Sequence, residues 1–283
     1  MCTGVREGSI NARVRTQSSI IVSSDRSEWV LFNASPDILT QIQQCGVLQP
    51  ARQLRDTGIR SIVLMDAQID HTTGLLMLRE HKQPLPIWCT DAVREDLSEG
   101  NPLFRVLDHY SGVEWHELST AGDECRIPGA ASVSFKALPL TSNAPPYSPH
   151  RDRPVLGDTV GMVMKDSSTG QSVFYAPGLG EMEPSVWEAM QAADVVLVDG
   201  TMWTDEEMIQ RGASAKTARS MGHLPQSGAG GMLEWLDRLP DTTRKVLIHI
   251  NNTNPILDED SRERSILEKH GVEVAHDGLE LEL

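Results

Sequence analysis

The stretch Ser61-Ile-Val-Leu-Met-Asp-Ala-Gln-Ile-Asp-His-Thr-Thr-Gly74 constrains the fold of this chain more than any other. Ser61 to Met65 is a short apolar run containing Ile and Val, the pattern of a buried strand. Asp66, Gln68 and Asp70 then fall at alternate positions, His71 follows, and Thr72 to Glu80 has a helical pattern. A strand that ends in metal-type side chains and leads into a helix builds a site at the edge of an α/β sheet. The same residues also have plainer uses. Asp66 or Asp70 could cap the helix, and His71 could be a hydrogen-bonded core histidine.

Two further strand ends repeat the theme. Asp194-Val-Val-Leu-Val-Asp-Gly-Thr201 ends in Asp199, and Lys245-Val-Leu-Ile-His-Ile250 ends in His249. His223 follows a glycine in Met221-Gly-His-Leu-Pro225, which places it on a turn. In a parallel sheet such strand ends come together. The reading is one divalent metal held by Asp70, His71 and His249, with Asp199 beside it as a ligand or as acceptor of a ligand's hydrogen bond. Imidazoles plus carboxylates form a hard N/O set that suits iron(II), manganese or zinc. The competing reading of His249 is a buried strand histidine bonded to a neighbour.

The rest of the chain alternates. Ser18–Val22 and Trp29–Asn33 read as a hairpin, followed by a helix capped by Ser35 and running to about Gln44. Strands are expected at 85–89, 133–138, 159–164 and 172–175. Thr90-Asp91 caps a helix ending near Gly100. Further helices are expected near 184–193, 230–239 and 260–270, and a closing hairpin turns at Asp277-Gly278. The proline-rich loop 139–154 carries Tyr147, His150 and Arg151 and reads as a substrate-facing lid. The competing reading there is a stiff surface loop.

With 283 residues the length permits one large domain or two small ones, and one is expected because no composition break marks a linker. A formal net charge of -15 argues against nucleic acid as partner, since phosphate binding needs a basic stripe. The four cysteines are widely spaced, which fits a reducing, cytoplasmic setting without a disulfide framework. Cys45, Cys89 and Cys125 read as buried small apolar residues. No apolar run reaches the length of a membrane span.

The spacing Asp66-x-Gln68-x-Asp70-His71 resembles the His-x-His-x-Asp-His motif of the metallo-β-lactamase superfamily, with Asp66 and Gln68 in place of its first two histidines. The whole chain resembles the coenzyme PQQ biosynthesis protein B family. The resemblance is carried by Arg15-Thr-Gln-Ser-Ser19, Asn33-Ala-Ser-Pro-Asp37, Gln68-Ile-Asp-His-Thr-Thr-Gly74 and Ala144-Pro-Pro-Tyr-Ser-Pro-His-Arg151. It continues through Phe174-Tyr-Ala-Pro-Gly-Leu-Gly180, Val198-Asp-Gly-Thr201, Met221-Gly-His223 and Ile248-His-Ile-Asn-Asn-Thr-Asn-Pro255.

This resemblance implies a single metallo-β-lactamase-like domain over residues 1–283, an α/β four-layer αββα sandwich. It implies a late step in making pyrroloquinoline quinone (PQQ): iron-dependent hydroxylation of the tyrosine ring in a cross-linked Glu–Tyr unit. His223 and Asp66 take catalytic roles. Tyr147, His150, Arg151, Asn251 and Asn252 meet the substrate. The family opens with a strand and a Cys-x-Cys-x-x-Cys zinc knuckle, of which Cys2 resembles the last member. The rest of that start is missing here, so a structural zinc is expected only with the full knuckle. A homodimer is an open expectation. Two alternatives stand beside the oxygenase. One is a metal-dependent hydrolase of the same fold, which usually needs two close metals. The other is a PQQ carrier without catalysis, for which Arg151, Arg153 and Arg211 could meet the carboxylates.

Overall fold

The computed structural model describes residues 2–50, 52–54 and 56–283, without the side chain of Cys2. The expected zinc-knuckle role of Cys2 therefore lies outside the described residues. The chain packs as two compact units, Thr16–Gln171 with Leu283, and Ser172–Glu282 with Met1–Arg15. A short helix, α1 (Cys2–Glu7), opens the chain.

In the Thr16–Gln171 unit, five strands lie in sequence order: β1 (Ile20–Val22), β2 (Trp29–Phe32), β3 (Ile59–Val63), β4 (Leu85–Cys89) and β5 (Val113–Glu117). The expected hairpin pairs β1 with β2 antiparallel, and the remaining pairs are parallel. Helices α2 (Ile38–Gln44), α3 (Ile69–Thr72), α4 (Asp91–Glu95) and α5 (Leu103–Leu107) accompany the sheet. Leu31, Ile38, Ile62, Leu64, Leu75, Ile87, Val93 and Leu97 share one buried core. Each such side chain contributes about 1.5–3 kcal/mol on burial. Thr90 caps α4 as expected, its hydroxyl accepting from Val93 N at 3.2 Å. Ser35 does not cap α2. Asp37 takes that position without a capping bond, and its carboxylate accepts from Gln17 N at 2.9 Å.

The expected helix after the motif is split into α3 and a 3₁₀ turn over Thr73–Leu78. Gly74 packs closely there: a Cβ would stand 2.1 Å from Ser35 O. An antiparallel ribbon of β6 (Cys125–Arg126), β7 (Val133–Pro139) and β8 (Val160–Asp166) completes this unit. Val160 N donates to Met65 O at 2.9 Å, and Asp66 bridges Thr159, so the motif loop is tied to the start of β8.

In the other unit, β9 (Ser172–Ala176), β10 (Val195–Asp199), β11 (Arg244–Ile248) and β12 (Val272–Val274) pair in that order, all parallel. Every residue of β10 is buried, as a near-continuous branched apolar run demands in a covered parallel sheet. Its helices are α6 (Pro184–Ala192), α7 (Glu207–Gln210), α8 (Met232–Leu236) and α9 (Arg262–Lys269). Asp199 is in register with Ile248, so β10 and β11 end level and His249 follows at once. The expected C-terminal hairpin does not form. Val272–Val274 lies parallel on β11 instead, and residues 279–283 carry no strand.

Cys89 is buried, and burial pushes its thiol up to about 12. Cys45 and Cys125 are half-buried rather than buried, and all three are free thiols. Among the described residues, no helix is long and apolar enough to cross a membrane.

Candidate functional site

Each unit holds a carboxylate set against an imidazole. In the Thr16–Gln171 unit, Asp66 and His71 are both almost fully buried. His71 Nδ1 lies 2.7 and 2.9 Å from the two Asp66 carboxylate oxygens. Asp66 Oδ1 also accepts from Gln68 N at 2.9 Å. Ala34 N donates to His71 O at 2.7 Å, which fixes the backbone behind the ring. Asp70 is less buried, its Oδ2 3.9 Å from His71 Nε2. Asp66 thus sits behind the ring on the Nδ1 side, while Asp70 stands on the Nε2 side.

The loop between β7 and β8 closes over this region through its own bonds. Gln68 Nε2 donates to Asn143 O at 3.2 Å, and Tyr147 donates its phenol to Ala67 O. Burial, with the nearby carboxylates, pushes the Tyr147 phenol up to about 12 despite an opposing hydrogen bond from Asn101. Arg151 donates to Ala144 O, and His150 Nε2 meets Glu95 Oε2 at 3.1 Å. The three loop side chains expected to meet substrate are therefore each engaged with the chain itself.

In the Ser172–Glu282 unit, Asp199 ends β10 fully buried. Its Oδ2 accepts from His223 Nδ1 at 2.6 Å and Leu179 N at 3.0 Å, and its Oδ1 from Thr201 N at 2.8 Å. Burial opposes its charge, yet His223, His249 and Thr201 hold the carboxyl below its usual range. Gly222, at φ 88, makes the turn that aims His223 at this carboxylate. His249 itself has φ 60, a left-handed backbone that a side chain rarely adopts. The two rings stack at 5.6 Å between centroids, 22° apart. Asp199, His223 and His249 each offer a ligand atom, all within 4.8 Å of one another.

Asn251 spends its side-chain amide on Thr253 Oγ1 at 2.7 Å. Asn252 is exposed and lines a cleft of ≈ 380 Å³ with Arg211, Thr253, Asp258 and Ser261. Two residues that sequence reasoning passed over are central to this region. Thr201 touches both Asp199 and His249, and Asn254 crosslinks Gly200 O and Gln226 Oε1 at 2.9 and 2.7 Å. The Asp-Gly-Thr run after a buried strand was the available signal for Thr201.

The donor chemistry fits a divalent metal. Imidazole ligands of metals commonly give their second nitrogen to a carboxylate, and His71 and His223 both do so. The β-lactamase superfamily domain matches residues 28–250. Coenzyme PQQ synthesis protein B of Azoarcus sp. (strain BH72) is 68% identical over 282 residues, covering 100% of this chain and 92% of that protein. The chain belongs to the coenzyme PQQ synthesis protein B family. The Methylococcus capsulatus member of that family is 57% identical, covering 100% of this chain and 92% of its own length. The crystal structure of Zn(2+)-bound PqqB from Methylobacterium extorquens matches with a TM-score of 0.90 and 33% identity, over 100% of this chain and 92% of that one. The metallo-β-lactamase fold is thereby the fold of this chain. A diphosphatase of the PhnP family, 17% identical with a TM-score of 0.64 over 95% of this chain and 85% of its own, shares that fold alone.

Proposed function

We propose that this chain acts in the biosynthesis of pyrroloquinoline quinone, as an iron-dependent oxygenase that hydroxylates the tyrosine ring of a linked Glu–Tyr unit. The observation that carries the reading is the carboxylate-backed imidazole in each unit, Asp66 behind His71 and Asp199 behind His223. Such backing leaves the far nitrogen of each ring basic, for a metal at His71 and for a proton at His223, and the N/O donor set suits iron(II). Membership in a PQQ synthesis family supports the pathway. A relative solved with zinc supports a divalent ion.

Asp70 and His71 are proposed as metal ligands in the Thr16–Gln171 unit, and His249 as a metal ligand in the Ser172–Glu282 unit. The bound iron would supply activation of oxygen, chemistry that side chains alone do not provide. The chain supplies the rest. His223, held through Nδ1 by Asp199, would take the phenol proton at Nε2. A positioned base of this kind contributes about 10²–10⁴-fold. The loop from 139 to 154 limits access of water, its inner face fastened through Tyr147 and Asn143.

The test loads the metal-free protein with iron(II) under anaerobic conditions, then adds reductant, the linked Glu–Tyr substrate and ¹⁸O₂. Label is expected in the ring by mass. His71→Ala and Asp70→Ala should each abolish incorporation, and His223→Ala should retain iron while losing turnover. Equal turnover without oxygen would move the reading to a hydrolase. Binding of PQQ with no turnover under any metal would move it to a carrier.

A further inference from the structure

Three groups crowd the Thr201 hydroxyl. Its oxygen stands 2.5 Å from Asp199 Oδ1, 2.8 Å from His249 Nδ1 and 2.8 Å from His249 O. A hydroxyl has one proton to give and two lone pairs with which to accept. The carboxylate has the strongest claim on that proton, because its contact is shortest and bonds to an ionised acceptor are the stronger kind. Once the proton points at Asp199, the hydroxyl can meet His249 Nδ1 only as an acceptor. Nδ1 must then carry the imidazole proton, and the lone pair of the neutral ring lies on Nε2.

The same count settles Asp199. Leu179 N and His223 Nδ1 converge on Oδ2, and Thr201 N and Thr201 Oγ1 converge on Oδ1. Those four donors take up the four acceptor positions that a carboxylate has to offer. The buried carboxylate therefore orients both rings, His223 directly and His249 through one hydroxyl.

We propose that Thr201 is a positioning residue that relays Asp199 to His249, fixes the Nδ1–H tautomer and reserves Nε2 for the metal, while Asp199 itself is not a ligand. The backbone around Thr201 is built to hold this relay. Asn251 N donates to Thr201 O at 3.1 Å, and Gly200 N donates to Ile248 O at 2.6 Å. Gly200 has no room for a side chain, since a Cβ would stand 2.9 Å from Ile248 O. These contacts clamp the end of β10 to the turn that carries His249, so the hydroxyl and the ring keep their register. The proposal rests on the reading of His249 as a metal ligand.

The first measurement needs no variant. In ¹⁵N-labelled, metal-free protein, long-range ¹H–¹⁵N spectra should show His249 with a protonated Nδ1 and an unprotonated Nε2, assigned by loss of signal in His249→Gln. The opposite tautomer in wild type would overturn the proposal. The second uses zinc alone, with affinity read by competition against a chromophoric chelator. Thr201→Val keeps the shape and removes the hydroxyl, and zinc affinity should fall about 10–100-fold. Thr201→Ser should recover most of it. Wild-type affinity in a folded Thr201→Val protein would also overturn the proposal. Neither readout involves oxygen or the Glu–Tyr substrate, so failure of the oxygenase reading would leave both results standing.

Discussion

An imidazole binds a metal well when one nitrogen is held and the other is left basic. Asp66 does this for His71 with both oxygens. Sequence reasoning placed Asp66 among the catalytic residues. In the structure its carboxylate is buried against the ring and against Gln68 N. Asp66→Asn should therefore lower metal affinity, by about 10–100-fold, as read by chelator competition. A variant with unchanged affinity and a collapsed rate would instead favour a direct catalytic role. At this scale, spacing made Asp66, Asp70 and His71 legible, because a strand that ends in three metal-type side chains is unusual. Thr201 was visible only as part of the Asp-Gly-Thr run, and its role was not. A threonine two residues after an aspartate is common, and its meaning here depends on which of three acceptors or donors its single proton faces.

Among the elements, those with strong apolar periodicity were read closely. β4 (Leu85–Cys89) matched its expected bounds, and β10 and β11 were found within a residue or two. β5 was missed although Val113-Glu-Trp-His116 alternates, because the run is short and lies half exposed at the sheet edge. The C-terminal hairpin was a misreading for a different reason. Asp277-Gly278 has turn chemistry, but β11 offered Val272–Val274 a parallel edge, and Ala275 N completes it on Leu247 O at 2.9 Å.

The expected helix to Gly100 was found, but its end is a π turn, Asp96–Gly100, and such turns often mark special sites. Asp96 is fully buried there. Burial pushes its carboxyl up to about 6, Ser148 pulls it down, Asp158 pushes it up further, and His150 and Glu95 act in opposite senses. The folded state therefore holds a proton that the unfolded chain releases near pH 4. Stability from this group is fully present below that pH and is lost as pH rises through 6. Asp96→Asn removes the ionisation, so it should flatten the slope between these values and stabilise the protein at pH 7 by about 1–3 kcal/mol. Urea unfolding of both proteins at a series of pH values checks this. A parallel pair of pH profiles would show that Asp96 does not titrate differently on folding.

For the molecule as a whole, the decisive sequence property is charge. A formal net charge of -15 keeps polyanions away. It also bears on the proposed substrate, because a linked Glu–Tyr unit carries carboxylates of its own. At about 0.01 M ionic strength the field of the protein extends some 30 Å, and at about 0.15 M only some 8 Å. An anion approaching this protein is thus repelled over a long range in dilute buffer and hardly at all in physiological salt. The rate of encounter, and with it kcat/KM, should rise severalfold across that range, while kcat stays level because the bound complex is already formed. Steady-state rates of the iron-loaded protein with the proposed Glu–Tyr substrate, measured at several sodium chloride concentrations, give the sign. A fall in kcat/KM with salt would mean that local cations outweigh the global charge. Arg153 is exposed on the loop over the motif and Arg211 is exposed at the cleft beside Asn252. Replacing each by Gln should then reverse the slope at the entrance the substrate uses, and leave it untouched at the other.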